Sequence, residues 1–168
     1  MKYVGAFLVI TACGGFGFRI AAIYRADMFY LRQLISILDY MECELNYRLT
    51  PLPQLCQRIA AEHSKGLGRI FKDLAEEMEN QISPDVQLCM RSVLEKNKPL
   101  PNSTDSCIRQ LSSILGCYDL AGQVQGIEAI RAECRRKFDE LSENKDARLR
   151  SYQALGLCAG AALAILLI

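Results

Sequence analysis

The feature that most constrains this chain is the uneven placement of its charged residues. All 19 acidic residues, and all basic residues except Lys2 and Arg19, lie between residues 25 and 150. The stretches 3–18 and 151–168 contain no charged side chain. This pattern excludes an ordinary cytosolic protein and predicts a water-soluble domain between two apolar ends.

Both apolar ends are long enough to cross a bilayer as helices. Residues 3–23 would span about 32 Å and residues 151–168 about 27 Å, against a hydrocarbon core of about 30 Å. Arg19 can extend its guanidinium into the headgroups at the edge of the first segment. The sequence therefore predicts transmembrane helices at 1–24 and 151–168, with a cytoplasmic helical domain over 25–150.

Basic residues on the inner flanks of the two segments predict the orientation. They are Arg19, Arg25, Arg32, Lys145, Arg148 and Arg150. Because positively charged flanks are retained in the cytoplasm, we expect a two-pass membrane protein with both termini outside.

The first segment has two other interpretations. Ile10-Thr11-Ala12-Cys13 fits a loose lipoprotein processing pattern, and Ala21-Ala22 could serve as a signal-peptide cleavage site. The apolar run continues well beyond Cys13, which favours a membrane helix. The eight cysteines include no closely spaced pair, which also argues against an exported disulfide framework.

Small residues recur at four-residue spacing in both apolar segments. They are Cys13, Gly17 and Ala21 in the first, and Gly156, Gly160 and Ala164 in the second. Such stripes let helix backbones approach closely in lipid. They predict packing between the two helices or between copies of the chain, and so leave a homo-oligomer open.

The central region shows helical periodicity throughout. Its clearest stripe steps by three and four residues through Leu31, Leu34, Leu38, Met41 and Leu45. No proline follows Pro101, so a last helix can run from about residue 120 to Ile168. The sequence predicts an all-α fold, with a bundle of about six helices flanked by the membrane helices.

Two threonines are candidate helix N-caps. Thr50 precedes Pro51, which fits the first position of a helix, and Thr104 follows a loop at 97–103.

The residues needed for catalysis, metal binding or nucleic-acid binding are scarce. The chain has one histidine and no phosphate loop or paired-cysteine metal spacing, so we expect neither an enzyme nor a metal or other cofactor. The net charge of +1 gives no basis for a nucleic-acid partner. The basic run at 131–137 is interleaved with acids, which indicates ion pairs on a helix surface.

Two blocks of the central region resemble a known family. The first is Glu44-x-x-Tyr47-x-x-Thr50-Pro51-Leu52-Pro53, and the second is Leu115-Gly116-x-x-Asp119-x-x-Gly122-Gln123. Together with the apolar ending at 152–168, they are similar to the stage III sporulation protein AB family of endospore-forming bacteria. Capping and turn geometry predict a structural role for the residues of both blocks.

This resemblance implies a membrane component of the mother-cell-to-forespore channel, in the outer forespore membrane. The family's cytoplasmic domain is similar to a helical domain of the type II secretion platform protein F. The implied partners are the cytosolic secretion-type ATPase of the same channel and its other membrane proteins.

Two further functions are open on the sequence alone. A membrane-anchored helical signalling protein would relay a stimulus to a cytoplasmic partner, but it would need a sizeable sensing region outside. A membrane-tethered thiol enzyme would need a cysteine with a depressed pKa. No local cationic cysteine motif indicates one.

Overall fold

A computed structural model describes the backbone of residues 2–48, 50–63, 65–80, 85–116 and 119–167, and the side chains of those that lie between residues 22 and 143. All regular secondary structure in these ranges is helical, which confirms the all-α prediction. The six helices are α1 (Lys2–Tyr47), α2 (Leu52–Glu62), α3 (Leu67–Glu79), α4 (Val86–Lys96), α5 (Asn102–Ile114) and α6 (Leu120–Leu167).

The chain divides into two compact units. Residues 29–138 form one unit, which contains α2 to α5 and the adjoining parts of α1 and α6. Residues 1–28 and 139–168 form the other, from the remaining parts of the two long helices.

The core of the 29–138 unit is built on the predicted stripe of α1. All five of its residues are buried: Leu31, Leu34, Leu38, Met41 and Leu45. Phe71 of α3 and Ile108 of α5 are also fully buried, as is Ile127 of α6. Removing such side chains from water is the main stabilising contribution in a domain of this size.

The first and last helices are the longest, with 46 and 48 residues. Each continues without interruption past the predicted domain boundaries at 24/25 and 150/151, and for the last helix the absence of proline after Pro101 indicated this continuity. The boundaries themselves remain predictions.

Where side chains are described, no helix has both the length and the apolar character needed to cross a bilayer. Most of the predicted segment 3–23 and all of the predicted segment 151–168 lie outside the range 22–143 in which side chains are described. The same holds for the predicted packing residues Cys13, Gly17, Ala21, Gly156, Gly160 and Ala164.

Two predicted helix caps are wrong. Helix α2 follows Pro51 and carries Pro53 in its first turn, and no side chain caps it, because the Thr50 hydroxyl bonds elsewhere. Helix α5 follows Pro101, so Thr104 lies buried inside its first turn. In both cases a proline presets the φ angle at the helix start, one residue after the expected cap in α2 and three residues before it in α5.

A glutamine of α1 supports the turn that leads into α3. The Gln33 side chain donates to the Lys65 carbonyl at 2.7 Å and accepts from the Leu67 amide at 3.0 Å. The N-cap residue of α3 is Gly66, which has no side chain that could accept a hydrogen bond from the helix. Gln33, more than thirty positions earlier in the chain, therefore accepts the hydrogen bond of the first backbone amide of this helix.

Candidate functional site

The corner between α1 and α2 is organised around one buried carboxylate. Glu44, in the last turn of α1, is only 4% exposed. One oxygen, Oε2, accepts from the Thr50 hydroxyl at 2.8 Å and from an Arg58 nitrogen at 3.1 Å. The other, Oε1, lies 3.1 Å from an Arg48 nitrogen. The carboxylate thus joins α1, the connecting segment and α2.

These donors stabilise the ionised form of Glu44. The Thr50 hydrogen bond is the largest cause that lowers the pKa of the Glu44 carboxyl below its ordinary value. The Arg48 and Arg58 charges act in the same direction, while burial opposes them. The first sequence block therefore contains a buried anion that two surface cations neutralise.

The outer face of this corner is exposed. Tyr47, the last residue of α1, is 84% exposed, the highest value among the large hydrophobic side chains described. Pro51 is exposed, and Leu52 and Pro53 are half-buried. The first block thus combines a buried ionic centre with an exposed aromatic ring.

The second block forms the corner between α5 and α6. Leu115 is buried, and Gly116 has a φ of +80°, a left-handed conformation that glycine adopts without strain. The Asp119 side chain accepts from the Gly122 amide at 3.0 Å and so caps α6. The Gln123 amide donates to the Asp119 carbonyl at 2.9 Å, as the first turn of α6 requires.

A cation of α6 links the two long helices inside the 29–138 unit. One Arg131 nitrogen lies 2.8 Å from an Asp39 oxygen of α1 and also contacts the Glu42 carboxylate. The predicted ion pairs within the basic run are confirmed only in part. Arg136 pairs with Glu133 of its own helix at 2.7 Å, whereas Arg131 pairs across helices. Sequence reasoning missed these partners because 92 and 89 residues separate them from Arg131.

A second missed cluster joins α5 and α6 around a thiol. The Lys137 ammonium donates to the Ser106 hydroxyl at 2.7 Å and lies 3.7 Å from the Cys107 sulfur. A hydrogen bond from the Cys134 thiol, together with the Lys137 charge, lowers the pKa of Cys107 to about 7 despite burial. Cys107 and Cys134 are both 0% exposed, so in this conformation a substrate has no access to either sulfur.

Two further observations bear on binding. A cavity of about 320 Å³ between α4 and α5 is lined in part by Leu88, Arg91 and Arg109. Arg91 and Arg109 each pair with a carboxylate four residues away in their own helix. In the part of the chain that is described, no three His, Cys, Asp or Glu side chains are grouped to hold a metal ion.

The fold and these clusters define an all-α protein in which two long terminal helices are joined within a domain of four shorter ones. A family model for stage III sporulation protein AB matches residues 2–168, and the chain therefore belongs to that family.

Two relatives agree with this assignment. The chain is 24% identical to stage III sporulation protein AB of Bacillus subtilis (strain 168), over 99% of both proteins. It is also similar to a solved structure of stage III sporulation protein AB, with a TM-score of 0.64 and 19% identity. That likeness covers 73% of this chain and 98% of the solved one, and it supports the fold.

Proposed function

We propose that this protein is a non-catalytic membrane component of the channel between mother cell and forespore. Its helical domain would act as a platform for the channel's cytosolic secretion-type ATPase. Membership of the stage III sporulation protein AB family supports the assignment to sporulation. Other membrane proteins of the channel, and further copies of this chain, would be its partners in the bilayer.

Membrane anchoring rests on the sequence pattern. Residues 3–23 and 151–168 supply two apolar segments, and the basic flanks favour a topology with both termini outside and the domain in the cytoplasm. The membrane would be the outer forespore membrane of the mother cell. Reporter fusions at both termini should be active only outside the cytoplasm, and activity of either fusion inside would contradict this topology.

One structural observation supports mechanical coupling. Arg131 of α6 pairs with Asp39 and Glu42 of α1, so the two long helices are linked inside the 29–138 unit. Each of these helices also continues into a predicted membrane segment. A movement that the ATPase imposes on the domain would therefore reach both membrane helices together, because a continuous helix transmits displacement along its axis.

The decisive test is binding between the full-length chain and the channel's ATPase. The chain would be purified in detergent and mixed with the ATPase, and co-elution and the ATP hydrolysis rate would be measured. We expect co-elution, with nucleotide turnover by the ATPase alone. Absence of binding by a folded chain would contradict the platform role, and turnover of a small molecule by the chain itself would contradict the non-catalytic one.

Charge reversal of Arg131 tests the coupling step. Arg131→Glu would place a third carboxylate beside Asp39 and Glu42 and should loosen the link between α1 and α6. We expect ATPase binding to persist while sporulation fails. Arg136→Glu provides the matched control, since Arg136 pairs with Glu133 of its own helix. Equal sporulation in both variants would contradict coupling through Arg131.

A further inference from the structure

The outer face of the α1–α2 corner has the features of a protein-binding surface. It consists of Tyr47, Arg48 and Arg58 around the buried Glu44, and is called the corner surface below. Tyr47 makes no ring contact or hydrogen bond within the described part of the chain. Tyrosine and arginine are, with tryptophan, the residue types enriched at the energetic centres of protein interfaces.

The corner surface carries excess positive charge. The side chains of Arg48 and Arg58 are 66% and 48% exposed, and both pair with the single carboxylate of Glu44. By contrast, Arg91 and Arg109 on α4 and α5 each pair with a carboxylate of their own. Two cations on one anion leave a net charge of +1 at the corner.

Glu44 also holds the two guanidiniums in place. Each arginine uses one terminal nitrogen on the carboxylate, while a guanidinium offers five N–H donors. The side chains are therefore partly ordered before a partner arrives, which reduces the entropy lost on binding. Planar guanidiniums match carboxylates in a bidentate geometry.

We propose that the corner surface binds an acidic segment of the ATPase, with carboxylates on Arg48 and Arg58 and an apolar side chain on the Tyr47 ring. This inference rests on the proposed function, since it names the surface through which that partner is engaged. Tyr47 ends α1 and is far in sequence from residues 3–23, so the bilayer is the less favoured occupant.

The test compares five variants of the full-length chain. Tyr47→Ala, Arg58→Glu and the milder Arg58→Gln alter the corner surface. Leu88→Ala and Arg91→Glu are matched controls on α4, where Leu88 is 62% exposed and the Arg91 side chain 70% exposed. Binding to the ATPase would be measured by biolayer interferometry at several salt concentrations, and folding by thermal unfolding of each variant.

We expect each corner variant to weaken binding about tenfold or more, and each control to change it less than about twofold. Wild-type binding should weaken as salt rises, and Arg58→Glu should flatten that dependence. Arg58→Glu places a second carboxylate beside Glu44, so Arg58→Gln is included as a milder variant. Tyr47→Ala leaves the ionic network intact and should unfold like the wild type.

The contrary outcomes are distinct. Equal binding by the wild type and the corner variants would overturn the corner surface while the platform role stands. Loss of binding only in the α4 variants would place docking elsewhere and overturn it too. If the wild type binds no ATPase, the proposed function fails and this inference with it.

A second arm addresses the bilayer. Anionic phosphatidylglycerol vesicles replace the ATPase, with the full-length chain reconstituted in nanodiscs. If Tyr47→Ala and Arg58→Glu reduce vesicle binding but leave ATPase binding unchanged, the occupant is lipid and the proposal is wrong. Vesicle binding unaffected by either substitution, with ATPase binding reduced, supports it.

Discussion

The two sequence blocks form similar corners between consecutive helices by different physical means. At the α1–α2 corner, the Glu44 carboxylate accepts from Thr50 and Arg58 and pairs with Arg48, and Tyr47 is left 84% exposed. At the α5–α6 corner, the turn depends on the backbone conformation of Gly116 and the cap made by Asp119. The first corner directs side chains outward, whereas the second mainly sets the direction of the chain.

Because of this difference, we expect substitutions at the two corners to affect different properties of the protein. Replacements in the second block should destabilise the fold according to burial, backbone strain and capping. Replacements on the outer face of the first block should leave the fold intact and affect partner binding. The following substitutions test this division in decreasing order of expected effect, by denaturant unfolding of the full-length chain in detergent.

Leu115→Ala should have the largest effect. Leu115 is 1% exposed, and truncating a fully buried leucine costs about 2–5 kcal/mol in the free energy of unfolding. The matched control is Leu120→Ala in the same block, because Leu120 is 41% exposed and should lose about 0.5 kcal/mol. Equal losses in the two variants would show that Leu115 is not a core residue.

Gly116→Ala should cost about 1–3 kcal/mol, the usual range for a non-glycine residue in a strained backbone conformation. The φ of +80° disfavours a Cβ, and an added Cβ would also lie 3.1 Å from a Val86 methyl group. Gly116→Asn shares this contact, but asparagine tolerates left-handed backbone better, so its loss should be smaller. Identical losses would indicate that the Val86 contact dominates.

Asp119→Ala should cost about 0.5–2 kcal/mol, because the Gly122 amide loses the side-chain acceptor that caps α6. Asp119→Asn keeps an oxygen at that position and should retain most of the stability. A loss as large in the asparagine variant would exclude capping as the role of Asp119.

Glu44→Gln should lower stability at pH 7 and also reduce the pH dependence of stability. Because hydrogen bonding lowers the pKa of Glu44 in the folded state, its ionised form contributes stability above the ordinary pKa of about 4.3. That contribution disappears as pH falls through the lower folded-state pKa. As the pH falls from 5 through the acid-unfolding transition, the wild type should therefore lose more stability than Glu44→Gln.

Thr50→Val sharpens this test, since it removes the largest cause of the lowered pKa and should also reduce the acid sensitivity. Parallel acid-denaturation curves for the wild type and both variants would contradict a stabilising role of the Glu44 charge.

Much of the helical architecture was predictable from residue spacing. The stripe from Leu31 to Leu45 is buried as expected, because its spacing places the side chains on one helix face. The helix starts were less predictable, since Thr50 and Thr104 are good caps by residue type alone. Whether a threonine hydroxyl caps its own helix depends on competing acceptors, and Glu44 provides one for Thr50.

The candidate site was predictable only in part. The first block drew attention to Glu44, Tyr47 and Thr50, but Arg58 lies outside its pattern and was missed. The Lys137–Cys107 contact was missed for a related reason, since its members are thirty residues apart on different helices. A motif records neighbours along the chain, whereas an ion pair needs neighbours in space.

By itself, the sequence determined the helical class, the two long terminal helices and the positions of the two corners. These follow from hydrophobic periodicity and from the placement of proline and glycine, which act locally. Only the tertiary structure decided that Arg58 completes the Glu44 centre, that Arg131 joins α1 to α6, and that Tyr47 is exposed. These depend on which helix faces pack together, and packing is a property of the whole domain.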